Sequence, residues 1–233
     1  MQVRRRGSPG FVAGCDPRRP SNGAAVRWHS SGVTDYWNHN AAYHPWLLGI
    51  AGRIHGDVLD VGCGEGLLTQ RLAPVSTSVT AIDPDPDAVH RTRRRVAHLP
   101  QVTVQHSTFA DFDPHGRRYD LITFVASLHH MELGSTLLKA RELLTATGEI
   151  AVVGLSANRS IGDWLISAAY LPAVRLGSLR HRERRDIGVV VAHPRESLSD
   201  IRITAKEILP GARIRRGLYY RYLLHWPDPR YLG

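Results

Sequence analysis

The stretch VLDVGCGEG at positions 58–66 joins a short apolar run to three glycines at alternate positions, Gly62, Gly64 and Gly66. An apolar run that enters a glycine loop and leaves as a helix lets backbone approach a ligand closely. The helix N-terminus adds partial positive charge. A second apolar run, SVTAID, ends on Asp83, 17 residues after Gly66. A carboxylate at the end of a second strand is placed to accept hydrogen bonds from ribose hydroxyls. Two details narrow the ligand. A dinucleotide loop needs a third glycine three residues after the second, to pass a pyrophosphate close to the helix; here that position is Leu67. Asp60, just before the loop, would repel a pyrophosphate and attract an ammonium group. The pattern fits a ligand with a ribose and an amino group but no phosphate.

These residues need a scaffold that brings two strand ends side by side, and the chain around them supplies one. Strands are expected at 58–62, 78–83, 102–105, 119–126 and 149–155. Helices are expected between them: 66–73, stopped by Pro74; 84–99, with Asp85 as N-cap and Pro86 in its first turn; and 135–146, ended by Gly148. In the helix 84–99, most of Arg91 and Arg93 to Arg95 are expected to face water while Ala88, Val89, Val96 and Leu99 turn inward. Short strands alternating with helices predict a parallel α/β sheet with right-handed crossovers. Residues 198–209 place Leu198, Ile201, Ala205, Ile208 and Leu209 on one helical face, and 212–226 reads as a β-hairpin. Upstream, 35–54 is aromatic and apolar, with Pro45 opening a helix through Trp46, Leu47, Leu48, Ile50 and Ile54. Residues 1–27 carry six arginines and three prolines with little apolar periodicity and read as a disordered basic tail. The domain proper is 28–233.

Composition sets outer bounds. The chain has 233 residues, 42% of them hydrophobic and 22% charged, enough for one domain with a sizeable core. Two cysteines, Cys15 and Cys63, exclude a disulfide framework and any four-cysteine metal site. The apolar runs are too short for a transmembrane helix, and the N-terminal arginines precede no apolar stretch of a signal, so a cytoplasmic protein is expected. The net charge of +9 rests on 28 arginines against 2 lysines. It leaves a nucleic-acid partner open. The arginines are scattered through ordinary helical patterns, however, and a solvated surface is the preferred reading.

VLDVGCGEG resembles the first motif of the class I S-adenosylmethionine-dependent methyltransferases. In register with it, AIDPD (81–85) resembles their second acidic motif, YDLITFVASLHHM (119–131) their fourth strand and following loop, and LLKARELLTATGEIAVVG (137–154) the segment before and through strand five. The resemblance covers about 58–154, with a looser likeness to small-molecule members in 36–54 and 198–226. It implies a doubly wound, seven-stranded, mostly parallel Rossmann-like sheet with an antiparallel C-terminal hairpin, and S-adenosylmethionine as cofactor. Carried over by position, Asp60, Gly62, Cys63 and Gly64 would contact the methionine part, Asp83 the ribose, and Pro84 the adenine. Tyr36, Val125 and Ala126 would join the cofactor contacts. The family usually has an acid after strand three. Here the text is VQHSTFADFD, so Ser107 or Thr108 takes that place, with Phe109 packing on the adenine.

Methyl transfer is an in-line displacement that must align nucleophile, methyl and sulfur, and remove a proton from an alcohol or phenol. His129 and His130, just past strand four, are the candidate catalytic residues, as base or as substrate-positioning groups; His44 is an outsider. There is no Asn/Asp-Pro-Pro-Tyr/Phe after strand four for base amino groups, no proline-cysteine nucleophile, no carboxylate cluster for magnesium and no zinc spacing. The segment 160–185 is expected as a lid over the acceptor pocket. The preferred reading is metal-independent O- or N-methylation of a small-molecule acceptor. The rivals are an RNA-modifying methyltransferase and a cofactor-binding protein without transferase activity.

Overall fold

The computed structural model describes residues 39–157, 194–217 and 221–227. The basic tail, Tyr36, the first part of the 35–54 cap and the 160–185 lid lie outside the described residues. Among the described residues, strands β1 (Asp57–Val61), β2 (Ser78–Asp83), β3 (Val102–His106), β4 (Tyr119–Val125), β5 (Leu144–Leu155), β6 (Arg213–Arg216) and β7 (Arg221–Trp226) form one sheet. Their order is β3-β2-β1-β4-β5-β7-β6. The first five strands run parallel; β7 pairs antiparallel with both β5 and β6. The expected doubly wound sheet with an antiparallel C-terminal hairpin is the fold.

The helices follow from local sequence. Helix α1 (His44–Ile54) has Pro45 in its first turn and ends on His55 in the left-handed region. Helix α2 (Leu67–Leu72) leaves the glycine loop, and Pro74 sits in the short 3-10 turn that closes it. Helix α3 (Pro86–Val96) is capped by Asp85, whose side chain accepts from the Asp87 amide. Helix α4 (Leu133–Glu142) begins two residues before the expected 135 because Glu132 caps it, accepting from Gly134 and Ser135. It also ends four residues early: Leu144 already pairs with Tyr119, and Gly148 lies within β5 rather than ending a helix. A side chain at Gly148 would meet the Tyr119 carbonyl at 2.7 Å, so the irregular start of β5 needs glycine. Helix α5 (Leu198–Ile208) opens with a capping box between Ser197 and Asp200.

Strand parity sorts the core into two layers. Leu59, Val61, Ile122, Phe124, Ile150, Val152, Tyr222 and Leu224 pack with α4 and α5 on one face. Val58, Leu121, Ala151, Val153 and Leu223 pack with α1 and α2 on the other. Because β7 is interior, consecutive residues Tyr222, Leu223 and Leu224 are all buried, overriding the one-sided alternation of an edge strand. Of the α3 arginines, Arg93 and Arg94 face water as expected; Arg95 is the exception, only 5% exposed, since its guanidinium is used internally.

At the amino end of the parallel strands, Glu149 of β5 is fully buried. Its carboxylate accepts from the Arg53 guanidinium of α1 at 2.7 and 2.9 Å and from His225 of β7 at 2.8 Å. A buried carboxylate needs such partners. The contact ties the last strand to the first described helix, at the edge of the sheet away from the glycine loop.

Candidate functional site

In a doubly wound sheet, ligands bind at the carboxyl edge where the strand order reverses. Here that point lies between β1 and β4, with the glycine loop following β1 and the 125–130 segment following β4.

The glycine loop continues β1. The amides of Gly62 and Cys63 both donate to the Ile82 carbonyl, at 2.9 and 3.1 Å. Gly62, Gly64 and Gly66 have φ of +76°, +56° and +74°. Three left-handed residues at alternate positions are accessible to glycine and costly for anything else. At Gly62 space adds to the demand: a Cβ would collide with the Ser127 side chain. Ser127, in turn, donates from its hydroxyl to the Val61 carbonyl at 2.6 Å. The loop after β4 is thereby laid against the loop after β1. Ala126, between them, holds φ +53°, a strained value for a residue with a side chain, while its amide donates to Val153.

Two carboxylates frame the loop. Asp60 is 1% exposed and lies on the α2 face of the sheet. Thr69 of α2 donates to one of its oxygens at 2.7 Å, and Thr123 of β4 to the other at 3.0 Å. Burial pushes its pKa up to about 6; the two hydroxyl donors work against the rise, and the nearby Asp83 charge adds to it. A neighbouring cation would relieve that cost. Asp83 closes β2 with both oxygens engaged: Oδ2 accepts from the Gly64 amide at 2.8 Å and Oδ1 from the Asp85 amide at 2.9 Å. Each carboxylate oxygen keeps a second acceptor direction for hydroxyl groups.

Beyond Asp83, Pro84 is exposed, and His106 at the end of β3 donates to its carbonyl at 2.9 Å. The Ser107 amide donates to the Asp83 carbonyl, which brings the 107–109 segment to the same edge. The Ser107 hydroxyl donates to the Thr108 carbonyl, and that of Thr108 to Asp111, so both currently serve their own turn. Phe109 departs from the expectation that it packs on an adenine. It is 3% exposed, sits edge-on to Phe124 with ring centroids 5.4 Å apart, and belongs to the core. Its aromatic surface is claimed by the sheet, leaving the edge to Ser107 and Thr108.

On the other side of the switch point, Val125 and Ala126 are half-buried and lead into the short 3-10 turn Leu128–His130. Leu128 is buried, His129 half-buried and His130 exposed. The two imidazoles lie 4.2 Å apart at 41°. His44 does not belong with them. It is 4% exposed, its Nδ1 accepts from Arg71 at 3.1 Å, and burial with the Arg71 charge lowers its pKa to about 3. It is a neutral packing histidine. Cys63 is equally inert: burial raises its thiol above the usual range, with the Asp60 charge adding to it. Among the described residues no three or more His, Cys, Asp or Glu side chains gather to hold a metal.

The structure also brings in residues that spacing alone did not single out. Thr69 and Thr123 hold Asp60, and Ser127 fills the space Gly62 leaves. Behind the loop, Thr92 of α3 donates to the Gly64 carbonyl at 2.8 Å and accepts from the Cys63 thiol at 3.7 Å. Arg95 donates to the Glu65 carbonyl at 2.7 Å and to Gln70 at 3.2 Å. The one available signal was an arginine in register with the buried Ala88, Thr92 and Val96 face of α3.

Residues 59–150 match the family model described as a methyltransferase domain. The chain is 31% identical over 194 residues to an uncharacterized methyltransferase of Mycobacterium tuberculosis, spanning 83% of this chain and 98% of that one. It is 28% identical over 154 residues to the ubiquinone biosynthesis O-methyltransferase of Shewanella halifaxensis, covering 64% of this chain and 65% of the relative. The crystal structure of the N-methyltransferase NodS from Bradyrhizobium japonicum in complex with S-adenosyl-l-homocysteine superposes with a TM-score of 0.54 at 18% identity, covering 81% and 87% of the two chains.

Proposed function

Since this chain belongs to the class I S-adenosylmethionine-dependent methyltransferases, we propose that it methylates an oxygen or nitrogen of a small-molecule acceptor without a metal ion. The observation that carries the reading is the joining of Asp83 to the Gly64 amide beside a buried, protonation-prone Asp60. That edge offers one carboxylate for ribose hydroxyls and one that gains from a nearby ammonium. The residues present therefore fit the cofactor's two polar ends.

In this reading Asp60, Gly62, Cys63 and Gly64 hold the amino-acid part of the cofactor and Asp83 its ribose. Pro84, Ser107 and Thr108 line the adenine, with Phe109 beneath them as core support. Val125, Ala126 and Tyr36 complete the contacts. The cofactor supplies an electrophilic methyl group. The chain's task is orientation, exclusion of water and removal of a proton. His129 and His130, on the turn that follows β4, are the groups we assign to the acceptor, one to position it and the other to take its proton. The Ser127 hydroxyl on Val61 and the fit of Ser127 into Gly62 keep that turn against the loop. The likeness to an O-methyltransferase of ubiquinone biosynthesis and to an N-methyltransferase supports a small acceptor.

Calorimetric titration with S-adenosylhomocysteine and with NAD, followed by transfer of a labelled methyl group to panels of phenols, amines and bulk RNA, tests this. Binding of the homocysteine nucleoside with label on a phenol or amine is expected. Label entering only RNA would move the function to the rival that the +9 charge favours. Tight NAD binding alone would end the proposal.

A further inference from the structure

Gly64 is gripped from both sides. Its N–H goes to Asp83 Oδ2 and its carbonyl receives the Thr92 hydroxyl, each at 2.8 Å. The next carbonyl, Glu65, receives Arg95 Nε at 2.7 Å. Both donors stand on α3, and the head of α3 is itself fastened to the same carboxylate, through Asp85 N to Asp83 Oδ1 at 2.9 Å. The bonds close a ring: Asp83, Gly64, Thr92, helix α3, Asp85 and back to Asp83. Thr92 is fully buried and Arg95 nearly so. Gly66 is shaped to the same helix, since a Cβ there would meet Thr92 Cγ2 at 2.7 Å.

We infer that Thr92 and Arg95 are positioning residues for the cofactor: by turning the Gly64 and Glu65 carbonyls toward α3 they set the loop in its binding conformation and couple it to Asp83. The inference rests on the cofactor reading above. The physical reason is peptide planarity. A carbonyl turned toward α3 sends the N–H of the following residue to the opposite side, so the Glu65 amide points away from the helix. A loop with three left-handed glycines has little intrinsic preference for one such arrangement, and the donors on α3 supply it. Binding then costs less ordering of the loop. A ribose that draws on Asp83 is also felt at Thr92, because both act on Gly64.

The alternative is that Thr92 and Arg95 only stabilise the fold. A double-mutant cycle separates the two. Affinity for S-adenosylhomocysteine is measured by calorimetry, and the ligand-free melting temperature by scanning, for the wild type, Thr92→Val, Thr92→Ser, Arg95→Lys, Asp83→Asn, Asp83→Asn/Thr92→Val and Asp83→Asn/Arg95→Lys. Thr92→Val is expected to weaken binding about ten-fold and Thr92→Ser to stay within about three-fold of wild type. Arg95→Lys, which cannot span Glu65 and Gln70 together, is expected to weaken binding about five-fold. Either effect should shrink by at least about half on a logarithmic scale in the Asp83→Asn background. Should Thr92→Val not fold, Arg95→Lys carries the same cycle. Equal effects in both backgrounds, Thr92→Val and Arg95→Lys affinities within about two-fold of wild type, or a Thr92→Ser protein as weak as Thr92→Val would each overturn the inference. A wild type that does not bind the ligand removes the cofactor reading and this inference together. Wild-type binding with neutral variants removes this inference alone.

Discussion

Asp60 and Thr123 sit side by side on adjacent parallel strands, the hydroxyl of one 3.0 Å from the carboxylate of the other, in a place almost closed to solvent. The carboxyl's pKa rises from 3.8 to about 6 chiefly through burial. An acid that holds its proton more tightly in the folded than in the unfolded chain makes deprotonation a cost of folding, about 3 kcal/mol for this rise. The cost is absent below about pH 3.8 and fully present above about pH 6. Asp60→Asn removes it. The variant should therefore gain melting temperature over the wild type at pH 7–8, with the gap closing as pH falls from 6 toward 4. Parallel stability profiles would contradict this.

The same group sets a second pH dependence. If the ionised carboxylate serves an ammonium, affinity for S-adenosylhomocysteine should fall as pH drops below about 6, and binding near pH 6 should release protons. Titrations in two buffers of different ionisation enthalpy read the protons directly. An affinity that is flat from pH 5 to 7.5 would detach Asp60 from the ligand.

Asp83→Ala should weaken cofactor binding by about 2–3 kcal/mol, since it removes charge-assisted bonds to the ribose together with the hold on Gly64. Folding should survive, because Asp83 is the last residue of β2 and its side chain holds only the Gly64 and Asp85 amides. An unchanged dissociation constant in a folded variant would show that the ribose lies elsewhere.

Gly62→Ala should destabilise the protein by about 2–4 kcal/mol and abolish cofactor binding, as it meets both a left-handed backbone and the Ser127 side chain. Adding Ser127→Gly relieves the collision but not the backbone strain. Thermal melts of the double variant should recover part of the loss. A single variant as stable as wild type would mean that the loop can relax away from Ser127.

Around Glu149, the order of two effects is the test. Arg53→Met takes the guanidinium from a buried carboxylate that keeps His225, whereas Glu149→Gln removes the charge with its own shape kept. The first should cost about 2–3 kcal/mol, the half-exposed Arg53 side chain moderating it, and the second clearly less. Urea denaturation ranks them; the reverse order would show that the ion pair itself is the source of stability.

What was legible in the sequence was whatever depends on local chemistry. The glycines at 62, 64 and 66 need their φ values locally, Asp85 caps α3 through its own neighbours, and apolar runs report buried strands. What was not legible depends on partners distant in sequence. The reach of Arg95 to Glu65 and Gln70 spans 30 and 25 residues, so nothing local sets this arginine apart from its water-facing neighbours Arg93 and Arg94. Phe109 looked available because its claim on Phe124 comes from across the sheet. The end of α4 has no local signal, because Leu143 and Leu144 continue a helical apolar pattern. The pairing of Tyr119 with Leu144 decides the matter, and nothing near Leu144 announces it.

The seating of β7 against β5 carries a consequence for how the molecule is made. Leu155 is partnered by Arg221, 66 positions later, and Ile150 by Trp226. On a ribosome adding about 5–20 residues each second, the outer edge of β5 waits roughly 3–13 s for its neighbour. During that interval the nascent chain presents an apolar strand, Ile150–Val153, with an unfilled row of backbone donors and acceptors. The final strand is thus a late closure of the sheet. A chain cut short before position 221 should be recovered as self-associated material rather than as a smaller folded domain.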